Sequence, residues 1–403
     1  MKYDVVIVGG GLGGSTLAKT LAEQRLAILV LERESVFKDR VRGEQMHPWG
    51  VGEARKLGIY DDLLRECGQQ TRWWVTYAGG VVAGRRDLQE TSPHGVGSFN
   101  LYHPKMQETL LLLAQQAGAE IRRGIRVSSV TPGERPSVQF DEGGHLHTVD
   151  GRLVVCADGR NSAARSWGGF TVKRHPDHLI IAGTLLDSTP VPDDSTHFVG
   201  GLEGGVLMAP QGRKRARAYF VYRKSDGLRG LSGQEGVPEF LSCLRNVGVP
   251  SEWLDGAQIA GPLAQFNAAD HWVDHPARSG IALIGDAAAA SDPCWGCGLS
   301  LTLSDVRCLR DCLINESDWT KAAEQYATEH DRYYGVLRGL EQWWAELLWT
   351  VGLLADERRA RMLPTFLVDP AGLPDLLGFG LASPPADDAA WQVLNGPHRR
   401  DSS

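Results

Sequence analysis

The chain has 403 residues, 42% of them hydrophobic and 23% charged, with a formal net charge of −7. That is ordinary globular composition with room for two or three cooperating units, and its acidic balance argues against binding nucleic acid or an anionic membrane, both of which select a basic face. No stretch reaches the roughly 18 uninterrupted apolar residues of a membrane span; the nearest, Trp343–Trp349, contains Glu346 and follows Arg338 and Glu341.

Met1–Asp4 runs straight into the apolar Val5–Val8, which leaves no room for a signal peptide. Seven cysteines, an odd number, are expected as free thiols. Both features point to the cytoplasm. The opening reads as strand (3–8), Gly-rich turn, helix (about 14–24) and strand (27–31), the start of a βαβ unit. The turn, Gly9-Gly10-Gly11-Leu12-Gly13-Gly14, has the G-x-G-x-x-G spacing of a dinucleotide site. There Gly9 allows the tight turn, Gly11 the approach of a pyrophosphate, and Gly14 close packing of helix on strand. The helix start adds unpaired N–H groups and a partial positive charge. Glu32, followed by Arg33, ends the next strand 23 residues after Gly9. A carboxylate there accepts from adenosine ribose hydroxyls and repels a 2′-phosphate. The motif by itself does not separate NAD from FAD.

Residues 46–67 read as helical, and a further helix follows Pro104, with Leu110, Leu111, Ala114 and Ala117 on one side. Alternating runs near 121–130, 136–140 and 145–156 predict antiparallel strands, the last leading into Asp158-Gly159. Between about 173 and 267 the texture turns β-rich. A buried strand at 280–284 then leads into Gly285-Asp286, into Asp292-Pro293-Cys294-Trp295-Gly296-Cys297-Gly298-Leu299, and into helices up to about 355. The last thirty or so residues, rich in Pro, Asp and Gly, read as loop and tail.

The three motifs at 9–14, 158–159 and 285–298, in that order and spacing, resemble the p-hydroxybenzoate hydroxylase-type family of FAD-dependent monooxygenases, over roughly 1–60, 100–167 and 280–312. The resemblance implies an α/β fold: a Rossmann-like FAD-binding domain (1–72, 100–172 and 268–320), an inserted mixed β-sheet that binds substrate (73–99 and 173–267), and a C-terminal helical segment and tail (321–403). It implies FAD contacts from Gly9, Gly11, Leu12, Gly13, Gly14, Glu32 and Arg33 at one end. Arg42, Gln107 and Asp158 would touch the cofactor between its ends, Asp286 the ribityl chain or ribose, and Gly296, Gly298 and Leu299 the isoalloxazine. The helix starting near Gly298 would aim its positive end at a reduced, anionic flavin. His103 stands where the family often has Arg, which leaves a cofactor contact on that helix rearranged.

The implied reaction is monooxygenation, in which reduced flavin and O₂ give a C4a-hydroperoxide that delivers one oxygen atom to an aromatic ring or alkene. NADPH or NADH is the expected transient reductant, with a separate flavin reductase open as the other electron source and a homodimer as an open assembly. A geranylgeranyl-reductase-like reductase or desaturase shares the nucleotide fold and stays open. So does a flavin-dependent halogenase, although the Trp-x-Trp-x-Ile-Pro motif of that branch is absent. No side chain is required as a nucleophile, and no catalytic residue is assigned.

Pro293 and Trp295, inside the flavin motif, are expected to touch a mainly apolar substrate, with Met208 and Tyr219 on the facing sheet. His47 could face the flavin or serve as a structural histidine. Cys294 and Cys297 form a C-x-x-C at a helix start, where a redox dithiol is the rival reading. A zinc site with Cys308 and Cys312 is disfavoured, because the helix would separate the pairs by about 15 Å. Trp343, Trp344 and Trp349, at helical spacing, are expected to pack against neighbouring helices or a partner subunit.

Overall fold

The computed structural model describes residues 2–201, 204–368 and 374–395. At its centre lies a six-stranded sheet in the order Ala277–Arg278, Ile281–Leu283, Leu153–Cys156, Val5–Val8, Ile28–Glu32, Glu120–Arg123. All pairings are parallel except the first. Val5–Val8 and Leu153–Cys156 are buried along their whole length. For Val5–Val8 that explains the unbroken apolar run, since helices cover both faces of a parallel sheet; Leu153–Cys156, expected within an antiparallel run, is parallel to both neighbours. The helices Leu12–Ala22, His103–Gln116 and Gly298–Asn315 pack together on one face around Leu17, Leu21, Leu110, Leu303 and Leu309.

The segment expected as one helix over 46–67 is two, Pro48–Lys56 and Tyr60–Glu66, because Gly58 turns the chain with φ +65°. The expected strands at 136–140 and 145–156 fall at Ser137–Glu142, His145–Asp150 and Leu153–Cys156. Of these the first two belong to an antiparallel meander with Arg126–Thr131.

The β-rich stretch forms an eight-stranded sheet whose core order is Leu179–Asp187, Arg215–Arg223, Gly204–Gly212, Ser195–Gly201, Trp73–Ala78, Val81–Asp87. The hairpin at 73–87 therefore joins strands from more than a hundred residues later, through a parallel pairing of Trp73–Ala78 with Ser195–Gly201. Side chains alternate between the sheet's faces. Ala182, Val206, Met208, Ala218, Phe220 and Tyr222 lie under the helix Val237–Val247 with Phe240 and Leu244. Leu179, Ile181, Leu207, Tyr219, Val221 and Phe266 form the other face, which meets the nucleotide-type domain.

What locks the two units together is a buried ion pair. Arg217 and Glu44 both have fully buried side chains, joined by Nε–Oε2 at 2.6 Å and Nη2–Oε1 at 3.0 Å. Arg217 also reaches Asp39 at 2.9 Å, while Glu44 accepts from the His103 amide (2.9 Å) and the Gln211 side chain (2.6 Å). Burial opposes the guanidinium charge, yet the Glu44 carboxylate holds its pKa above the ordinary range.

The long helix Trp319–Leu348 follows, then Leu353–Val368. The expected loose tail is instead docked, with a 3₁₀ turn at Gly380–Ala382 and a helix at Asp388–Asn395. Three indole N–H groups tie it down: Trp49 donates to the Leu376 carbonyl (3.1 Å), Trp343 to Ala390 (3.1 Å) and Trp344 to Pro374 (3.0 Å). Arg86 holds Asp375 through two bonds, at 3.0 and 2.6 Å. Composition hid this, because the partners are backbone carbonyls that any sequence supplies. Among the described residues no helix is long and apolar enough to cross a membrane.

Arg217→Met leaves the Glu44 carboxylate buried without its cation, with Asp39 beside it, and should cost about 3–5 kcal/mol in urea unfolding. Adding Glu44→Gln should recover part of that loss, since the neutral pair no longer strands a charge. Unchanged unfolding of the single variant would remove the pair from its locking role.

Candidate functional site

The Gly-rich turn sits at the carboxyl end of Val5–Val8. Gly9 has φ +103°, a conformation that L side chains rarely adopt, and a Cβ on Gly14 would stand 1.9 Å from the Gly9 carbonyl oxygen. Beside these closed positions the turn has an open one: a Cβ on Gly11 would meet only Gln107 Nε2, at 3.8 Å. The helix Leu12–Ala22 begins there with no side-chain cap, so its first amides stay available to an anion. Leu12 itself is turned into the core, and Gly13 packs against Thr302 and Ile284.

Glu32 is buried at the end of its strand, its two oxygens accepting the Gly10 and Glu34 amides, each at 2.6 Å. Two further lone-pair sites remain for ribose hydroxyls. Arg33 points to solvent beside Glu34 (3.3 Å). Open turn, uncapped helix and buried carboxylate together fit the adenosine diphosphate half of a dinucleotide.

The two later motifs meet through one buried arginine. Arg165 donates to the carbonyls of Ala287 (2.8 Å), Arg160 (3.1 Å) and Asp286. Asp158 uses one oxygen on the Ala163 and Ala164 amides (2.9 and 3.3 Å), so it caps the turn leading to Arg165. Asp305 fixes the Gly285-Asp286 turn from below, accepting the Gly285 amide (2.7 Å) and the Tyr333 hydroxyl (2.5 Å). Burial pushes its carboxyl up to about 6. Held this way, the Asp286 carboxylate lies beside the start of the helix Gly298–Asn315, where a Cβ on Gly298 would be 3.8 Å from Oδ1.

The loop 292–298 is braced on both sides. Asp292 accepts the Cys294 amide (3.0 Å) and caps the 3₁₀ turn Pro293–Trp295. His47 lies 2.8 Å, through Nε2, from the Trp295 carbonyl and 3.2 Å, through Nδ1, from the Gln45 side-chain nitrogen. These partners select a neutral ring with the proton on Nε2, donating to the carbonyl and accepting from Gln45. Burial pushes the imidazole down to about 4. Beneath the loop, Glu341 is 4% exposed, and neither of its oxygens has a hydrogen-bond partner among the described residues. It faces the Asp292 amide and the Cys297 thiol, and burial pushes its carboxyl well above the usual range.

The structure sorts the expected substrate residues. Tyr219 lies on the sheet face turned toward the loop, its hydroxyl donating to the Arg42 carbonyl; the Arg42 side chain is exposed. Met208 does not join it. Leu207 pairs with Tyr219 and Met208 with Ala218, so a one-residue difference in parity sends Met208 to the opposite face and brings Leu207 to this one. Trp295 packs against the aromatic layer of Trp343, Trp344 and Tyr334, while its neighbour Cys294 packs with Tyr219, Ile181 and Phe266. Pro293 opens the 3₁₀ turn between them. Leu299 is buried in the nucleotide-type core. Sequence reasoning missed Trp349, which packs with this sheet face rather than with helices alone. It also missed Asp305 and Arg165, whose partners are contributed by distant segments, and the buried Glu341. Burial pushes the Cys294 and Cys297 thiols well above their ordinary range, so neither is a ready thiolate. Among the described residues no group of three or more His, Cys, Asp or Glu could hold a metal ion.

Residues 2–331 match the FAD binding domain family. Digeranylgeranylglycerophospholipid reductase 1 of Methanococcoides burtonii is 27% identical over 308 residues, 74% of this chain and 71% of that protein. The aklavinone 12-hydroxylase DnrF of Streptomyces peucetius subsp. caesius is 27% identical over 321 residues, 73% of this chain and 64% of that protein. Among solved structures, the p-nitrophenol 4-monooxygenase PnpA of Pseudomonas putida DLL-E4 superposes with a TM-score of 0.79 at 17% identity, covering 98% of this chain and 99% of that one. The flavin-dependent halogenase CmlS superposes with a TM-score of 0.72 at 18% identity, covering 90% and 70%. At these identities the superpositions show a shared fold.

The folded pKa of His47 lies below its free value of 6.5, so its contribution to stability is complete above about pH 6.5 and is lost as pH falls toward 4. Urea midpoints measured across that window should drop for the wild type. His47→Gln, which still offers the Trp295 carbonyl a donor, should flatten the curve by about one proton; an unchanged slope would mean that His47 does not titrate as described. A Cys294→Ala/Cys297→Ala variant should keep most turnover. Its loss with normal bound flavin would revive the dithiol reading.

Proposed function

The chain belongs to the FAD-binding-domain family of p-hydroxybenzoate hydroxylase-type flavoenzymes, and from that membership we propose that it is an FAD-dependent monooxygenase acting on a mainly apolar aromatic small molecule. One observation carries the choice of substrate: the sheet face opposite the 292–298 loop is built from Leu179, Ile181, Leu207, Tyr219, Val221 and Phe266, and the charge on the same face, Arg217, is paired with Glu44 and Asp39. The similarity to the aklavinone 12-hydroxylase DnrF, by its name a hydroxylase, supports the same reading.

In this reading FAD supplies the redox chemistry, accepting a hydride and passing electrons to O₂. The turn at 9–14 and its helix amides would hold the pyrophosphate, Glu32 the adenosine ribose, and Asp286 the ribityl chain. The first turn of the helix Gly298–Asn315 would favour negative charge on the ring. The side chains of the sheet face keep water from the reacting centre, and Tyr219, buried with its hydroxyl committed to the Arg42 carbonyl, packs there as a wall. Burial keeps that phenol protonated, so it is not a base. NADPH or NADH is the proposed reductant, taken up transiently, with a separate reductase as the other source of electrons.

The lipid-reductase relatives support a second reading, saturation of a prenyl double bond without oxygen transfer. O₂ uptake separates the two. One O₂ consumed per product supports the monooxygenase, and turnover of an alkene under strict anaerobiosis supports the reductase.

Purified protein should be yellow and should release FAD on acid precipitation. Asp286→Ala should weaken FAD retention by the loss of a charge-assisted hydrogen bond, on the order of 1.5–3 kcal/mol, read by flavin fluorescence on dilution. Full flavin content in the diluted variant would remove Asp286 from the cofactor site.

A further inference from the structure

Cys308 and Cys312 stand one turn apart on the helix Gly298–Asn315, and both are partly exposed. Cys308 lies about 15 Å along the axis from Gly298, at 1.5 Å per residue, so the pair is well away from the helix end assigned to the flavin. The two sulfurs share a hydrogen bond, and it is the largest influence on both thiols. It pulls Cys312 below its ordinary range and pushes Cys308 up, which makes Cys308 the donor and Cys312 the thiol nearer to ionisation. Asp305, Asp311 and Glu329 press negative charge on the pair, while the opposing cation, Arg307, is engaged by Glu53 and Asp311. Those surroundings disfavour a bare thiolate and favour a bound cation. The other cysteines differ: Cys67, Cys156 and Cys243 are buried, and burial pushes the Cys294 and Cys297 thiols well up.

Helical spacing decides what two sulfurs can do here. Residues at i and i+4 hold their Cβ atoms about 5–6 Å apart, whereas a disulfide needs about 3.5–4.5 Å. A disulfide would therefore have to bend the helix. An ion between the sulfurs removes that conflict, because two metal–sulfur bonds of about 2.3 Å let the sulfurs stand up to about 4.6 Å apart. Zinc completes a tetrahedron of four ligands, and among the described residues no group of three or more His, Cys, Asp or Glu could hold a metal ion. Soft sulfur ligands select monovalent copper, an ion that two thiolates satisfy.

We propose that Cys308 and Cys312 form a two-sulfur site for a soft, thiophilic ion of the monovalent copper class, bridged across one turn of the helix. On binding, each S–H bond breaks, its proton passes to solvent and the sulfur electron pair forms the bond to the ion, with no change of oxidation state. The site goes beyond the flavoenzyme reading and does not rest on it.

The probe is Cu(I), presented anaerobically to the full chain as its complex with bathocuproine disulfonate, whose absorbance reports the copper withdrawn. Wild type should withdraw one Cu(I) per chain, and Cys294→Ala/Cys297→Ala should do the same. Cys308→Ser and Cys312→Ser should each weaken the affinity about 100-fold or more, because a lone thiol loses the gain from a linked second one. If the serine variants fail to fold, wild type alone decides. Copper should then shield Cys308 and Cys312 from iodoacetamide, read by peptide mass spectrometry, and leave the labelling of Cys294 unchanged. No uptake by wild type, serine variants that bind as wild type does, uptake lost with Cys294→Ala/Cys297→Ala instead, or alkylation of the pair unaffected by copper overturns the proposal. Zinc bound with the same dependence on the pair overturns the assignment to a two-coordinate ion.

Discussion

An ion pair without access to solvent joins residues 173 positions apart, Glu44 and Arg217, and the geometry of the candidate site depends on it. Two buried charges are retained only when their hydrogen-bonding capacity is nearly used up. Here Glu44 accepts from Arg217, Gln211 and the amide that opens the helix His103–Gln116. One carboxylate thus ties the eight-stranded sheet, the 42–47 segment and a helix of the nucleotide-type domain to a common point. The consequences run outward by sequence adjacency. Two residues before Glu44, the Arg42 carbonyl receives the Tyr219 hydroxyl. Three residues after it, His47 reaches the Trp295 carbonyl. The sheet face and the 292–298 loop that packs on it are therefore set by the same anchor.

A second layer is held by neutral donors. Trp49, Trp343 and Trp344 bury large aromatic surfaces and each spends its N–H on a carbonyl of the C-terminal segment. That segment closes the back of the 292–298 loop, since Trp295 packs into the same aromatic cluster. The loop is consequently a partition: Cys294 on the chamber side and Trp295 on the aromatic side, one residue apart. Glu341 lies behind this partition, where burial pushes its carboxyl well above the usual carboxylate range.

The parts legible in the sequence were those whose physical cause is local. The turn at 9–14 needs Gly9 for its backbone angle and Gly14 for a 1.9 Å approach to a carbonyl, and no other residues meet both demands, so the spacing itself carries the information. Fully buried parallel strands need unbroken apolar runs, which identified Val5–Val8, whereas Leu153–Cys156 was expected at the end of an antiparallel run and is parallel. The C-x-x-C was the misleading case. Its spacing suggests a reactive pair, but burial drives both thiols away from ionisation.

Sequence alone determined that the chain opens with a dinucleotide turn, that three motifs recur in a flavoenzyme order, and that a β-rich stretch lies between them. The tertiary structure decided which face of that sheet looks at the loop, and so exchanged Met208 for Leu207 beside Tyr219. It also decided that the tail is docked and that Trp349 leaves the helix packing to join that sheet face. The reason is that backbone angles and strand burial are imposed by neighbours in the chain. Strand parity, buried ion pairs and indole-to-carbonyl bonds are satisfied by partners tens to hundreds of residues away, whose identity a single sequence does not encode until the chain has folded.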